Sequence, residues 1–563
     1  MDRLVNTQKE ASSKIWDIIM THLIATANYP LTPAPIRAQC CETISTIITV
    51  AMNHVLSEYN KVNESTQNRL LLALNQCINY SPPANEEALI QETLASNPKA
   101  FSEVQKMGLE TLNNLLQTSG HSFTCGWGLI LDMLRHVAVC AIGPPSASCL
   151  QDDDNDQEAT PVTSPDMKAS TTTTASTNER ASIDTTASSI MAGSIMAAAG
   201  PKSATGLIKV AFSSLQLICT DFLSLLSPDC LRQCIATLGS FGMQSDDLNI
   251  SLTAVGLLWN LSDFIQTRRI DLGKESAAAE EEIDKESINI DLTLSNKDDS
   301  NPKTYSILWM LLLLQLSHTC IDWRPEVRNG ANQTLFRTIT MNGHVLGPHL
   351  WNACIWEVLF PLLDSIKMSS IRASKMSLSK ASSPSINDRD SSGFMLHHSR
   401  DTADKQWDET KVLILTGISS IFQDFLQDLH GLQHFQRAFT LLLAHLQDSC
   451  LRSSQEVSLA SIKSFKAIVT VDPGFKDSAA LMDLWRRAWN TWQIIGQGIS
   501  QSMEGAKGEI TSDINNNKNW LADDEAELQS LTLSLSSSSV APISDDFTQD
   551  TLTSYVTLFT DLY

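Results

Sequence analysis

Apolar residues recur at three- and four-residue steps along most of this 563-residue chain. Between 207 and 226, Leu207, Val210, Ala211, Leu215, Ile218 and Phe222 fall on one side of a helix. Strand-like alternation is scarce. The one hairpin-like signal is Asn342-Gly343, flanked by Thr338-Ile339-Thr340 and Val345. It reads instead as a helix stop with Gly343 past the last turn.

Within these helices a short frame repeats at i, i+4 and i+8. It is clearest at Val327, Ala331 and Leu335, after the turn Asp322-Trp323-Arg324-Pro325. Pro325 suits a first helical turn, where its missing N–H costs nothing. The frame recurs at Ile36, Cys40 and Ile44, at Val104, Gly108 and Leu112, at Leu248, Leu252 and Gly256, and at Val457, Ser461 and Phe465. Most copies put a small residue in the middle, where helices can approach closely; the copy centred on Leu252 does not. The pattern predicts an all-α, HEAT/armadillo-like α-solenoid. A generic helical domain with coincidental spacing is the alternative.

Four stretches interrupt the periodicity and lack the apolar content that offsets chain ordering. Helical repeats are predicted over 1–143, 205–270, 304–367 and 405–495. Disordered insertions are predicted over 144–204 (Ser/Thr/Asp-rich), 271–303 (acidic), 368–404 (Ser-rich) and 496–546 (acidic and Ser-rich), with a weak helix at 190–199. A C-terminal amphipathic helix is expected over 547–563, carrying Phe547, Leu552, Tyr555, Val556, Phe559 and Leu562.

The net charge of −23 changes little in this picture. Spans 151–184, 271–299 and 501–546 hold 27 acidic and 7 basic residues, so the expected folded parts are close to neutral. Nucleic acid is excluded as the main partner, and the acidity says nothing about the folded surface. The twelve cysteines lie mostly in apolar helical patterns without a CxxC pair, as reduced core residues would. No signal peptide is expected after Met1, and the most apolar run, 307–316, is too short to span a membrane.

Candidate chemistry is sparse. Gly200-Pro201-Lys202-Ser203 lacks the spaced glycines of a phosphate loop, and H-E-x-x-H and G-x-S-x-G do not occur. His397-His398 has no further ligand set nearby. No catalytic residue, metal, cofactor or small-molecule substrate is expected. Trp485, Trp489 and Trp492 recur at helical spacing with Arg486 and Arg487 between them. They suit an aromatic packing face or, through Trp485, Arg486 and Trp489, a partner or membrane-surface contact. Tyr555 and Phe559 suit a last helix capping the array, or one docking in a partner's groove.

Two blocks carry a resemblance: SDDLNISLTAVGLLWNLSDF at 245–264, and 322–364 with DWRPEVRNGANQTLF, NGHVLGPHLW and WEVLFPLLD. They resemble the helical domains downstream of the catalytic module in the large BIG-type Arf guanine-nucleotide exchange factors. With 207–226, 112–131 and 405–422, they look closer to the related Mon-two (monensin-sensitivity two) family, as its C-terminal half. The resemblance implies an α-solenoid on the cytosolic face of the trans-Golgi network and endosomes. It implies a non-catalytic scaffold acting with Dopey-type partners, an Arf-like GTPase and a flippase, and touching membrane only indirectly. The regulatory C-terminal region of an active exchange factor is the alternative, and an importin-type receptor a third. The signature residues are Asn249, Leu252, Trp259, Asn260, Asp263, Asp322, Pro325, Val327, Arg328, Trp351, Phe360 and Asp364, with structural roles expected. Asn260 would end one helix, Asp263 would cap the next, and Arg328 would pair with an acid on a neighbouring repeat.

Overall fold

In a computed structural model, residues 2–29, 31–57, 64–79, 99–140, 201–272, 303–381, 402–470, 478–505 and 549–562 are described. Most of 144–204, 271–303, 368–404 and 496–546, with His397, His398 and residues 190–199, lies outside them. Every described element is helical. The chain divides into two units, Met1–Leu257 and Leu258–Tyr563.

In the first unit the helices are α1 (Asp2–Asn28), α2 (Ala34–Ser57), α3 (Glu64–Ile78), α4 (Lys99–Ser119), α5 (Trp127–Cys140), α6 (Pro201–Leu217), α7 (Pro228–Met243) and the start of α8 (Leu248–Thr267). Helices α2, α4 and α6 pack side by side in one layer, and α3, α5 and α7 in another. The second unit holds the end of α8, then α9 (Lys303–Thr319), α10 (Pro325–Asn342), α11 (Pro348–Ala353), α12 (Phe360–Ala381), α13 (Ala403–Asp424), α14 (Leu426–His430), α15 (Phe435–Arg452), α16 (Gln455–Val469), α17 (Ser478–Gly505) and α18 (Gln549–Leu562). Here α10, α13, α16 and α18 stack in order, each against the next, with α9, α12, α15 and α17 as their partners. Helix pairs that bury their faces only against neighbouring pairs are an α-solenoid of HEAT type. Two helices run past the expected boundaries: α12 continues beyond 367, and α17 continues beyond 495 because Ile495, Gly498 and Ile499 extend its buried face.

The repeated frame lies on the second helix of a pair, in α2, α4, α8, α10 and α16. Val104, Leu112, Val327, Ala331, Leu335, Val457 and Phe465 are fully buried, and Cys40 and Ile44 nearly or fully so. At Gly108 a Cβ would stand 2.8 Å from Ile78 Cγ1, so the small middle residue is demanded by the neighbouring helix. Two copies depart from this: Ile36 is 50% exposed, so the first copy keeps only Cys40 and Ile44 in its seam, and the Leu248 copy is displaced. Leu248 and Leu252 are 37% and 36% exposed, and the buried seam of α8 is Ile250, Ala254 and Leu258. Asp247 caps this helix, its carboxylate accepting the backbone N–H of Asn249 (3.0 Å) and of Ile250 (3.3 Å), and the seam lies two residues on from the one that the apolar spacing suggested. The corrected copy regains the small residue in its middle.

The residue after the first frame position has a repeated role as well. Arg37 Nε donates to the carbonyl of Ala27 (3.1 Å), Gln105 to that of Ile78 (3.0 Å), Ser251 to that of Gln244 (3.2 Å) and Arg328 Nη1 to that of Trp323 (3.0 Å). The first three tie down a carbonyl at or just past the end of the preceding helix, where intrahelical donors run out, and Arg328 ties down the turn that leads into its own helix.

A further device occurs once in each unit. Helices α4 and α10 both end in a Gly-His turn of 3-10 helix, Gly120–Ser122 and Gly343–Val345. A Cβ on Gly120 would lie 2.3 Å from the Phe222 ring, and one on Gly343 would lie 2.4 Å from the Phe425 ring. Phe222 also packs on Trp127, with centroids 5.5 Å apart, and Phe425 on Trp351 at 4.9 Å. Gly343 does stop its helix, as the sequence implied. Its φ of −57° is ordinary, so space and not left-handed backbone requires glycine there.

By length and composition alone, 206–225 and 248–267 are apolar enough to cross a membrane, which the sequence expectation missed. Their hydropathies are 1.4 and 1.3, and 56% and 50% of each is buried inside the protein, as in core helices of a repeat.

Gly343→Ala is expected to destabilise by about 1–3 kcal/mol, because the ring of Phe425 must move out of a packed seam. Chemical denaturation measures it, and Phe425→Leu in the same chain should cost less than the two single changes summed.

Candidate protein-interaction site

The turn 322–325 is built around a buried ion pair. The Asp322 carboxylate accepts from the backbone N–H of Arg324 (2.8 Å), from its Nε (2.9 Å) and from its Nη2 (2.9 Å). Both side chains are more than nine-tenths buried. Pro325 begins α10 as expected. Arg328, 1% exposed, donates from Nε to Thr410 Oγ1 (2.8 Å) and lies 4.1 Å over the ring of Trp407. Thr410 in turn donates to Asn329 Oδ1 (2.7 Å). The expected acid partner for Arg328 is replaced by a hydroxyl, a carbonyl and an aromatic face on α13. Burial pushes its pKa down, opposed by Asp322, Glu326 and Glu409.

This scaffolding leaves Trp323 71% exposed, with Ile321 40% exposed beside it. Its carbonyl is held by Arg328, and the Arg324 guanidinium sits 5.7 Å over its ring. A tryptophan on a rigid backbone loses little freedom on binding and presents a large amphipathic surface, the property of an interface anchor. Trp323 lies in the signature block but was not singled out from the sequence. Nothing in the apolar period distinguishes an outward tryptophan from a core one.

A second aromatic group joins α17 to α18. Trp489 and Trp492 lie 5.8 and 5.4 Å from Phe559, and Trp492 stacks on Tyr555 at 4.9 Å. The structure thus brings Trp489, Tyr555 and Phe559 together inside one chain. Trp485 is half-buried on the same helix, and Arg486 is exposed. Arg487 pairs with Asp483 at 2.8 Å.

The remaining signature residues are spread over the helices. Trp351 and Phe360 are core residues. Asn249, Asn260 and Asp263 are exposed, and Trp259 is half-buried with Arg337 stacked on it at 4.6 Å. Helix α8 runs unbroken through Asn260 and Asp263, so neither ends nor caps a helix. The buried series Leu258, Leu261, Ser262 and Ile265 stays in phase across them. Asp364 lies 3.6 Å from His445 Nε2, beyond hydrogen-bond length. Burial pushes the Asp364 carboxyl up, with Lys367 opposing.

Around His445 lies a buried polar cluster on α12, α13 and α15. Lys367 Nζ reaches Asp448 at 2.8 Å, and Lys411 Nζ donates to Ser453 Oγ at 2.6 Å. Burial lowers Lys411 to about 8, against the pull of Asp448 and Asp408. Burial, with the Lys367 and Lys411 charges, lowers His445 to about 4, opposed by Asp448. Five buried or half-buried thiols shift the opposite way. Burial pushes Cys41 and Cys450 up to about 11 and Cys77, Cys140 and Cys354 up to about 12, so they stay protonated at neutral pH.

Stacked helix pairs with a small residue at the centre of each seam define a HEAT-type helical-repeat protein. A profile described as the C-terminal region of Mon2 protein matches residues 220–481, and the chain carries a Mon2 C-terminal region there. The Drosophila melanogaster Protein MON2 homolog is 39% identical over 313 residues, 54% of this chain and 17% of that protein. The Homo sapiens Protein MON2 homolog is 38% identical over 288 residues, 50% of this chain and 16% of that protein. Brefeldin A-inhibited guanine nucleotide-exchange protein 2 of Arabidopsis thaliana is 39% identical over 61 residues, 11% of this chain and 3% of that protein. The chain is thus related to exchange-factor-type proteins, and it spans a small part of the length of the relatives it matches.

Because the buried imidazole stays neutral where a free one takes a proton, His445 contributes stability that is lost as pH falls from 6.5 toward 4. His445→Gln is expected to flatten that part of the wild-type stability profile, compared as slopes in urea denaturation at fixed salt. An unchanged slope sinks the assignment.

Proposed function

We propose that this chain acts as a non-catalytic peripheral scaffold in Golgi and endosome vesicle and protein traffic. One observation carries the proposal: the Mon2 C-terminal region coincides with a helical array whose signature turn spends a buried ion pair and a buried arginine on holding Trp323 outward. Rigid backbone under an exposed aromatic serves partner recognition better than chemistry. The protonated state of the buried thiols and the neutral His445 fit structural duty for those groups. Through the resemblance in the signature blocks, the partners proposed are an Arf-family GTPase, a Dopey-type scaffold and a flippase. Attachment to trans-Golgi and endosomal membranes would run through them.

A second reading is favoured by the 61-residue likeness to the Arabidopsis exchange protein. In it, this region regulates an exchange module carried by the same polypeptide. The intact natural protein accelerating nucleotide release from an Arf-family GTPase would establish it over the scaffold.

Proximity labelling with the chain in its own organism is expected to mark Golgi and endosomal proteins. Trp323→Ala should leave stability within about 0.5 kcal/mol of wild type, as an exposed substitution does, while lowering that labelling several-fold. Wild-type labelling without Golgi or endosomal proteins sinks the proposal, and undiminished labelling by the variant removes Trp323 from it.

A further inference from the structure

Helix α18 is held differently from the other second helices of the pairs. Helix α13 buries Ile414, Leu415, Ile418, Ile421 and Phe422 along its C-terminal half. Among the described side chains of α18, Thr551 and Leu558 are fully buried, while Val556 is 64% and Phe559 38% exposed. It packs along α16, and its contact with α17 centres on one residue pair. Tyr555 lies flat on Trp492, with ring planes 4° apart. The Tyr555 hydroxyl donates to the Trp492 carbonyl (3.1 Å), and the Trp492 indole N–H donates back to the Tyr555 carbonyl (3.2 Å). Under the hydroxyl is Gly496, where a Cβ would stand 2.0 Å from the oxygen. Only glycine at 496 admits a tyrosine there.

An isolated helix of this length is marginal in water, so its order comes from the surface it lies on. Reciprocal hydrogen bonds, a stacked ring and a glycine-shaped recess specify a ligand as much as they fill a core. The covalent connection through residues 506–548 makes docking intramolecular, which raises the effective concentration of the helix to roughly the millimolar range. A surface of modest affinity is occupied under those conditions without the helix being needed by the rest of the array.

We propose that Trp489, Trp492 and Gly496 form a helix-recognition site. It selects a short amphipathic helix bearing tyrosine and, one turn on, phenylalanine, and its resident ligand is the chain's own 549–562, held exchangeably. The helix is therefore a separable ligand of the solenoid, which stays folded without it. This inference is independent of the trafficking assignment, since binding is read on the purified chain.

The test uses the full chain with a protease site placed between residues 506 and 548 and cut after folding. The expected result has four parts. The 549–563 fragment stays bound when concentrated and leaves on dilution through the micromolar range. Circular dichroism of the remainder keeps its helical signal and its cooperative transition. A fluorescein-labelled 547–563 peptide rebinds by anisotropy and is displaced by the unlabelled peptide. Tyr555→Phe in the peptide, which cannot disturb folding of the array, weakens rebinding about three- to tenfold through loss of one hydrogen bond. Gly496→Val in the chain abolishes rebinding. A fragment that never leaves at nanomolar concentration, or whose departure unfolds the array, makes α18 an integral repeat and overturns the proposal. Failure of the wild-type peptide to rebind, or equal binding by the Tyr555→Phe peptide, overturns it as well.

Discussion

A helix packed against the next repeat still ends in carbonyls that its own N–H groups cannot reach. In this chain they are met from the second helix of the same pair. The side chain directly after the first seam position donates to a carbonyl at or just past the preceding helix's end from Arg37, Gln105 and Ser251, and to the connecting turn from Arg328. Seam and cap are thereby locked in register. If the second helix rotated, it would lose its buried Val–small–Leu face and strip a donor from a desolvated carbonyl in the same movement. Everything else rests on that coupling, because a solenoid has no central core to correct a misplaced pair.

Close approach is the second constraint, and it sets where large residues can sit. The Gly-His turns after α4 and α10 admit Phe222 and Phe425 to positions that any side chain at 120 or 343 would fill. Each phenylalanine then packs on a tryptophan, Trp127 or Trp351, which starts or lies in the following helix. The seams lie at matching distances ahead of the two glycines, with Val104, Gly108 and Leu112 in one unit and Val327, Ala331 and Leu335 in the other. The two units thus repeat a motif longer than one helix pair.

Polar groups are treated in two ways. Several of the charged groups that the chain encloses are matched to fixed partners. Arg328 has Thr410, a carbonyl and the Trp407 face, and Lys367 has Asp448. Removing one partner in such a setting leaves an uncompensated buried charge. Where the chain releases a large side chain to solvent, at Trp323, the backbone beneath it is braced by the Asp322–Arg324 pair and by Arg328.

The helical class, the repeat and its small central residue were all legible in the amino-acid order. Periodicity records which residues share a face, and Pro325 and Gly343 mark helix ends by local backbone chemistry. The Val327, Val104 and Val457 seams follow from period alone. Phase was not always legible. The α8 seam sits at Ile250, Ala254 and Leu258 and not at Leu248 and Leu252, because the neighbouring helix chooses between two equally apolar faces. Period also cannot tell that Arg328 points inward to a hydroxyl on a helix far along the chain, that Asn260 sits in mid-helix, or that Trp323 faces water. Those outcomes belong to contacts between residues distant in sequence, Arg328 with Thr410, Gly343 with Phe425 and Trp492 with Tyr555. Only packing of one pair on the next brings such groups within reach and decides which side chains it encloses.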